Sequence, residues 1–408
     1  MRFPALKNKA FVTFTAGSVS ATNALWINRV IIGWLGWELT GMASWVGFLS
    51  FFLFAPTIVS SPLFGVMIDR VDLRRAAIVS QSVLLATISV LFLLYMSGLL
   101  TIWLLSLIAL SVGFTSSADR TVRFVMVPRL VDREALANAV AIHGINFNTA
   151  RLIGPALGGV LIDMAGTGAA IFVNLVMILP FLAVLFVVKP RERDAQEAKQ
   201  RKFFADLIDG ARYAVRHPVI RKAMILSGVF SITLRGVIEI LPAIADGQYH
   251  RGAQGLGQML AASGAGALVS AIIIALRRPG SSEVDISLSA QIAAIGGIAS
   301  VVLLGATTNW YFAMAMIFVF GYCMTIIAID LQTSVQMALD DTYRGRVMSL
   351  WIVLVIGGAA MSAITLGFFA DAFGMSATLI GAGASCAAIL LIERIISSGG
   401  RGSSPTST

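Results

Sequence analysis

The stretch Gly65-Val66-Met67-Ile68-Asp69-Arg70-Val71-Asp72-Leu73-Arg74-Arg75 separates two apolar runs, residues 42 to 64 and 76 to 98. Each run is long enough for a helix to cross a bilayer, which takes about 20 predominantly apolar residues. The charged residues between them are too few for anything but a tight turn at one membrane surface. The two runs are therefore antiparallel neighbours with a basic connection.

Working outward, the same alternation fills the chain. Apolar runs near 11 to 37, 42 to 64, 76 to 98, 101 to 122, 136 to 162 and 167 to 188 form a first six. Runs near 219 to 245, 255 to 276, 286 to 306, 309 to 335, 347 to 370 and 376 to 397 form a second. Apolar residues make up 57% of the sequence and charged residues 12%, against roughly one quarter charged in soluble domains. Lipid is the expected medium. The net charge of +9 could suggest nucleic acid, but Lys and Arg sit on alternate connections, and Arg251 alone falls on an outer loop. The positive-inside rule then places both termini in the cytoplasm of a multi-pass inner-membrane protein. No nucleic-acid partner is expected. The basic leader Met1 to Lys9 precedes a run that passes Trp37 without a small-residue cleavage site, so it reads as an uncleaved first helix.

The expected division is an N-terminal six-helix bundle over 1–188, a cytoplasmic linker over 189–218, a C-terminal six-helix bundle over 219–397 and a disordered tail over 398–408. In the linker, apolar residues at 204, 207, 208, 211 and 215 predict an amphipathic helix on the inner surface. Cys323 and Cys386 lie inside spans, and neither a disulfide nor a metal site is indicated.

Several motifs carry a resemblance. Gly65 followed by Asp69-Arg70 and Arg74-Arg75 resembles the short-loop signature of the major facilitator superfamily, in which Asp69 would face the N-terminal end of span 11, after Arg344-Gly345-Arg346. Gly154-Pro155-Ala156-Leu157-Gly158-Gly159 in span 5 resembles the Gly-Pro motif of the family's antiporters and exporters, with small residues for close helix approach and a proline for bending. Val127-Pro128-Arg129-Leu130-Val131, Ala150-Arg151-Leu152-Ile153-Gly154-Pro155 and Leu234-Arg235-Gly236-Val237-Ile238-Glu239 look like the branch containing enterobactin exporters and macrolide efflux proteins. The resemblance implies an all-α membrane fold of twelve helices in two pseudo-symmetric bundles that alternately expose a central cavity. It also implies gating roles for Gly65, Asp69, Arg70, Arg74, Arg75, Arg123, Gly154, Pro155, Gly158 and Arg346. Span 4 departs from proton-driven relatives in lacking a mid-helix Arg, with Asp119 and Arg120 only at its inner end.

Charges inside spans are costly, about 2.5 to 3.5 kcal/mol on insertion scales, and so mark partners, wet cavities or function. Arg29, Arg151, Arg235, Glu239 and Asp330 stand out. Arg235 and Glu239, four apart, are expected to pair on one helical face, which Ser231 extends. Asn148 and Arg151 lie on a polar stripe of span 5, and Asn23, Trp26 and Arg29 recur every third residue in span 1. These seven outside the carboxylates are the candidate substrate contacts. Asp330 and Glu239 are the candidate proton carriers, since desolvation raises a carboxyl pKa while a nearby Arg lowers it, and Asp330, with no base on its own face within one turn, is the favoured titrating group. Three deep Arg against two acids favour an anionic or strongly polar cargo.

The function expected is secondary active transport, exporting a small molecule, either a siderophore-like anion or a lipophilic drug, in exchange for protons. A lipid-moving member of the superfamily and a non-transporting membrane receptor are the alternatives. No nucleotide-binding loop, metal-ligand spacing or Gly-x-Ser-x-Gly appears, so neither an enzyme nor a cofactor is expected. A monomer is expected.

Overall fold

The computed structural model describes residues 4–68, 71–191, 203–276 and 287–399. Asp69 and Arg70, and residues 400–408 of the expected tail, lie outside them. The described chain is almost wholly helical: α1 (Lys9–Thr40), α2 (Ala43–Ile68), α3 (Leu73–Met96), α4 (Ile102–Met126), α5 (Leu136–Val187), α6 (Phe203–Arg216), α7 (Pro218–Thr233), α8 (Gly252–Leu276), α9 (Leu288–Ala306), α10 (Trp310–Ala338), α11 (Asp341–Phe373) and α12 (Met375–Gly399). Helix α12 therefore runs two residues into the expected tail.

Eight helices of the described residues are long and apolar enough to cross a membrane. One of them, α5, spans twice, because Gly166 (φ 81°, ψ 163°) breaks its helical run at a conformation that side-chain-bearing residues rarely adopt. With that division, and with α1, α2 and the segment begun by α7, the described residues accommodate the twelve expected spans. The chain thus alternates between a basic face, carrying Arg74, Arg129 and α6, and a far face, carrying the turns at 41, 98, 166, 252 and 374.

Asp72, Thr101, Ser287 and Asn309 cap α3, α4, α9 and α10 by accepting a backbone N–H three residues on. Isoleucines and leucines of α1, α3 and α4, among them Ile27, Ile31, Leu35, Ile88 and Leu105, are fully enclosed. The outside is equally apolar: Leu93, Leu107, Val187 and Leu276 are 65 to 78% exposed. Water would penalise such side chains by about 1.5–3 kcal/mol each, and hydrocarbon does not.

Helices α1 to α5 pack among themselves, as do α7 to α12, and the two sets meet along α2 with α11 and α5 with α8. Glycines make these crossings close. A Cβ added at Gly159 would lie 2.7 Å from the Gly257 nitrogen, and one at Gly367 would lie 2.8 Å from Ser44 Cα.

The seventh span is not the continuous helix expected. Helix α7 stops at Thr233, a 3-10 turn covers Arg235–Val237, and a π turn covers Ala243–Gln248. The cause is local. The Gly236 N–H donates to Ser362 Oγ of α11 (3.0 Å) instead of continuing the α-ladder, and Pro242 has no N–H to offer.

Candidate functional site

Because the helix breaks there, Arg235 and Glu239 do not share a helical face, and their expected pairing is not formed. Glu239 Oε1 instead accepts from the Arg29 guanidinium of α1, joining the two halves. Arg29 lies 20 residues into α1 and Glu239 21 residues beyond the start of α7, so the bond sits at matched depth in both halves. The side chains are 23% and 9% exposed.

Three more arginines gather around this bond. Arg151 of α5 lies in the electrostatic field of Arg29 and Glu239, Arg235 in that of Arg151, Glu239 and Arg29, and Arg120 of α4 in that of Arg29 and of Asp119. With Glu239 committed to Arg29, three guanidinium groups are in excess. Arg120 and Arg151 are exposed although they lie within the bundle, as residues lining a wet cavity are.

Aromatic rings interleave with the cations. The Arg29 guanidinium stands 4.2 Å from the Phe54 centroid and 5.3 Å from that of Trp26. Trp26 meets Phe147 edge-on at 5.8 Å, and Arg120 lies 5.7 Å from the Phe147 centroid. The result is a chain Phe54, Arg29, Trp26, Phe147, Arg120 that crosses α2, α1, α5 and α4. Trp26 Nε1 is buried with no hydrogen-bond partner among the described residues. Such a wall can hold a planar, negatively charged group by stacking and by charge together.

The other expected contacts are placed less directly. Asn23 and Asn148 donate to carbonyls of their own helices, Val19 O at 2.8 Å and Gly144 O at 2.9 Å. Ser231 is buried against Gly358 of α11 rather than extending the charged cluster. Asp330 lies apart from the cluster, where its Oδ2 accepts from the Ser287 N–H at the start of α9, 3.3 Å away.

Of the expected gating residues, Gly65 lies near the end of α2. Gly154 and Gly158 seat α5 on α1: a Cβ at Gly154 would lie 2.6 Å from Trp26 Cβ, and one at Gly158 3.3 Å from Val30 Cβ. Pro155 falls between them inside α5. Arg74 donates to Leu185 O (2.8 Å) and Phe186 O, closing the C-terminal end of α5. Arg75 is exposed, its N–H engaged by the Asp72 cap. Arg346 pairs with Asp209 of α6 at 3.7 Å.

Arg123 anchors a network that sequence reading did not anticipate. Its Nε lies 2.7 Å from Asp119 Oδ2, and its Nη1 donates to Ser18 Oγ at 3.0 Å. Gln81 Nε2 donates to Asp119 Oδ1 at 2.6 Å, and the Phe181 ring lies 3.9 Å from the guanidinium carbon. Helices α1, α3, α4 and the second arm of α5 meet around one buried ion pair.

At the far face the halves are latched. Asp371 of α11 accepts the N–H groups of Ala43 (2.8 Å) and Ser44 (2.9 Å), capping α2 from the opposite half. Trp37 Nε1 donates to Asp246 Oδ2 at 2.8 Å, and Gly247 lies against the same indole. Contact between α5 and α8 continues to mid-depth, where Gly264 meets Leu152. Asp371→Ala removes the cap, worth about 1 kcal/mol. A cysteine placed at Ser44 is expected to react roughly fivefold faster with a membrane-impermeant maleimide in that variant. An unchanged labelling rate would show that the cap does not hold the far face closed.

The family described as "Transmembrane secretion effector" matches residues 2–398. The enterobactin exporter EntS of Escherichia coli O139:H28 (strain E24377A / ETEC) is 26% identical over 279 residues, and its counterpart in Escherichia fergusonii matches equally. Those alignments cover 66% of this chain and 62% of the relatives. The chain therefore spans a little under two thirds of the curated relatives' length. Among solved structures, a bacterial homologue of the human lysosomal transporter Spinster, inward-facing and unoccupied, superposes with a TM-score of 0.73 at 10% identity, covering 93% of this chain and 94% of that one. The nucleoside transporter NupG gives 0.69 at 12% identity over 94% and 98%. Family match, exporter relatives and fold converge: this chain belongs to the major facilitator superfamily, among its transmembrane secretion effectors.

Proposed function

We propose that the chain is a secondary active exporter of the inner membrane that moves a small aromatic or strongly polar anion out of the cytoplasm by alternating access, in exchange for protons. The observation that carries this reading is the cluster of Arg29, Arg120, Arg151 and Arg235, interleaved with Phe54, Trp26 and Phe147, in which the nearby carboxylates Glu239 and Asp119 are already paired with Arg29 and Arg123. A lipophilic cation entering such a site meets an unbalanced positive field, whereas an anion recovers it. The likeness to enterobactin exporters supports the direction and a catecholate-like cargo.

The basic face is taken as cytoplasmic on the charge rule. With the far face latched, the cavity then opens inward and accepts cargo from the cytoplasm. Glu239 is the proposed proton carrier. Protonation removes its charge, releases Arg29 to the cargo and loosens the far-face contacts above. Gly154, Pro155 and Gly158 let α5 rock on α1, and the Arg346 contact with Asp209 couples α11 to the linker. Asp330, held at the start of α9, is a secondary candidate that could sense the cytoplasmic side.

Counterflow in proteoliposomes tests the reading, with labelled enterobactin and tetraphenylphosphonium as opposite probes. Trans-acceleration of the anion, strengthened by an opposing proton gradient, is the expected result. Arg151→Glu reverses one charge in the cavity and is expected to lower anion counterflow by about 100-fold while membrane insertion stays intact. Equal rates for Arg151→Glu and the parent, or transport of the cation alone, would overturn the anion assignment.

A further inference from the structure

Part of the apolar face of the amphipathic helix α6 is left open among the described residues. Ile208 and Val215 are 54% and 61% exposed, and Val215, with Ala211 and Ala214, roofs a groove of about 640 Å³ between α7, α11 and α12. Val215, Met224, Ile225, Val229, Leu350 and Leu354 line it, and Arg221 is the one charged residue on its wall. Arg212 and Arg216 flank the apolar stripe of α6 and are exposed. Of the carboxylates described around α6, Asp209, which shares a surface with Arg212 and Arg216, pairs with Arg346 at 3.7 Å, and Asp340 accepts from the Tyr213 hydroxyl at 3.1 Å. The roof is fixed, since Tyr213 also stacks on Tyr343 of α11 with centroids 4.3 Å apart.

An apolar slot that ends at a guanidinium with no ion-pair partner among the described residues, under a helix lying at the membrane surface, has the chemistry of one occupant. We propose that the groove holds an acyl chain of an anionic phospholipid, with its phosphate at Arg221 inside the positive field of Arg212 and Arg216. The lipid belongs to the bilayer and is separate from the transported cargo. It ties α6 and α7 to α11, the helix whose far end latches α2, so its occupancy favours the arrangement described above.

Purified full-length protein, reconstituted in mixed vesicles of phosphatidylglycerol and phosphatidylcholine with identical chains, provides the test. Lipid retained after gentle detergent extraction is read by native mass spectrometry. Phosphatidylglycerol is expected to be enriched at least about tenfold over phosphatidylcholine, and each of Arg212→Gln, Arg216→Gln and Arg221→Gln to lower that ratio by up to about fivefold, Arg221→Gln most. Thermal unfolding of the parent protein supplies a readout that needs no variant: added phosphatidylglycerol raises the midpoint, and glycerol 3-phosphate at equal concentration does not. Equal retention of both lipids marks the groove as unselective lipid contact and overturns the proposal. So does stabilisation by glycerol 3-phosphate alone, which would indicate a free-anion site, or undiminished selectivity in Arg221→Gln.

Discussion

Arg123→Met is expected to lower the stability of the N-terminal bundle by about 3–5 kcal/mol, the cost of leaving a buried partner charge uncompensated. Arg123 and Asp119 are 7% and 10% exposed at the side chain, so neither is rescued by water. Losing the guanidinium strands the Asp119 carboxylate beside Gln81 and removes the donor to Ser18. Only a minor share of protein should survive extraction and size-exclusion as a monodisperse peak. The pair is different. Asp119→Leu with Arg123→Met replaces both charges by apolar groups of similar size, and most of the loss should return, since a buried ion pair gains little over well-packed hydrocarbon. Chemical denaturation of the two single variants and the double variant measures the coupling. A double variant as unstable as the sum of the singles would assign the stability to packing of the individual side chains instead of to the pair.

That network was only partly legible in the sequence. Asp119 and Arg123 are four residues apart at the end of an apolar run, which is an ion-pair spacing on a helix. The same position also suits topogenic charges at the membrane surface, and composition favours that second reading. What decides is the packing of Gln81, Ser18 and Phe181 around the pair, and these come from helices far away in sequence. Arg120 shows the same limit. Beside Arg123 it looks interfacial, yet its guanidinium reaches Phe147 and the field of Arg29. The spans themselves were plain, because each needs only length and apolarity, and lipid penalises any interruption.

The seventh span was misread for a complementary reason. Periodicity assumes an α-helix, so Arg235 and Glu239 seemed to share a face. The acceptor that diverts the Gly236 N–H is Ser362, 126 residues away. Breaking the helix re-aims Glu239 from its own half to the other. A structural pair inside one half becomes a bond between the halves, and the proposed mechanism depends on that difference.

Glu239→Gln tests it with the largest expected functional effect. The variant keeps shape and hydrogen-bonding capacity but loses the charge that holds Arg29. Arg29 remains 23% exposed, so cavity water screens part of the attraction, and the loss should fall near the lower end for buried charged pairs, about 2 kcal/mol. That is roughly a thirtyfold shift in population away from the far-closed state. Far-face cysteine labelling should rise accordingly. Proton-gradient-driven accumulation should disappear, because no proton is bound or released at the bridge, while gradient-free counterflow persists. Exchanging the partners, Arg29→Glu with Glu239→Arg, separates latch from carrier. If the bond serves only to close the far face, the exchange restores both labelling and gradient-driven transport. If Glu239 carries the proton, the exchange restores closure alone, since the carboxylate then sits on α1 beside Phe54 and Trp26 and no longer on the broken segment that packs against α11. Full gradient-driven transport in Glu239→Gln would remove this carboxylate from the coupling mechanism.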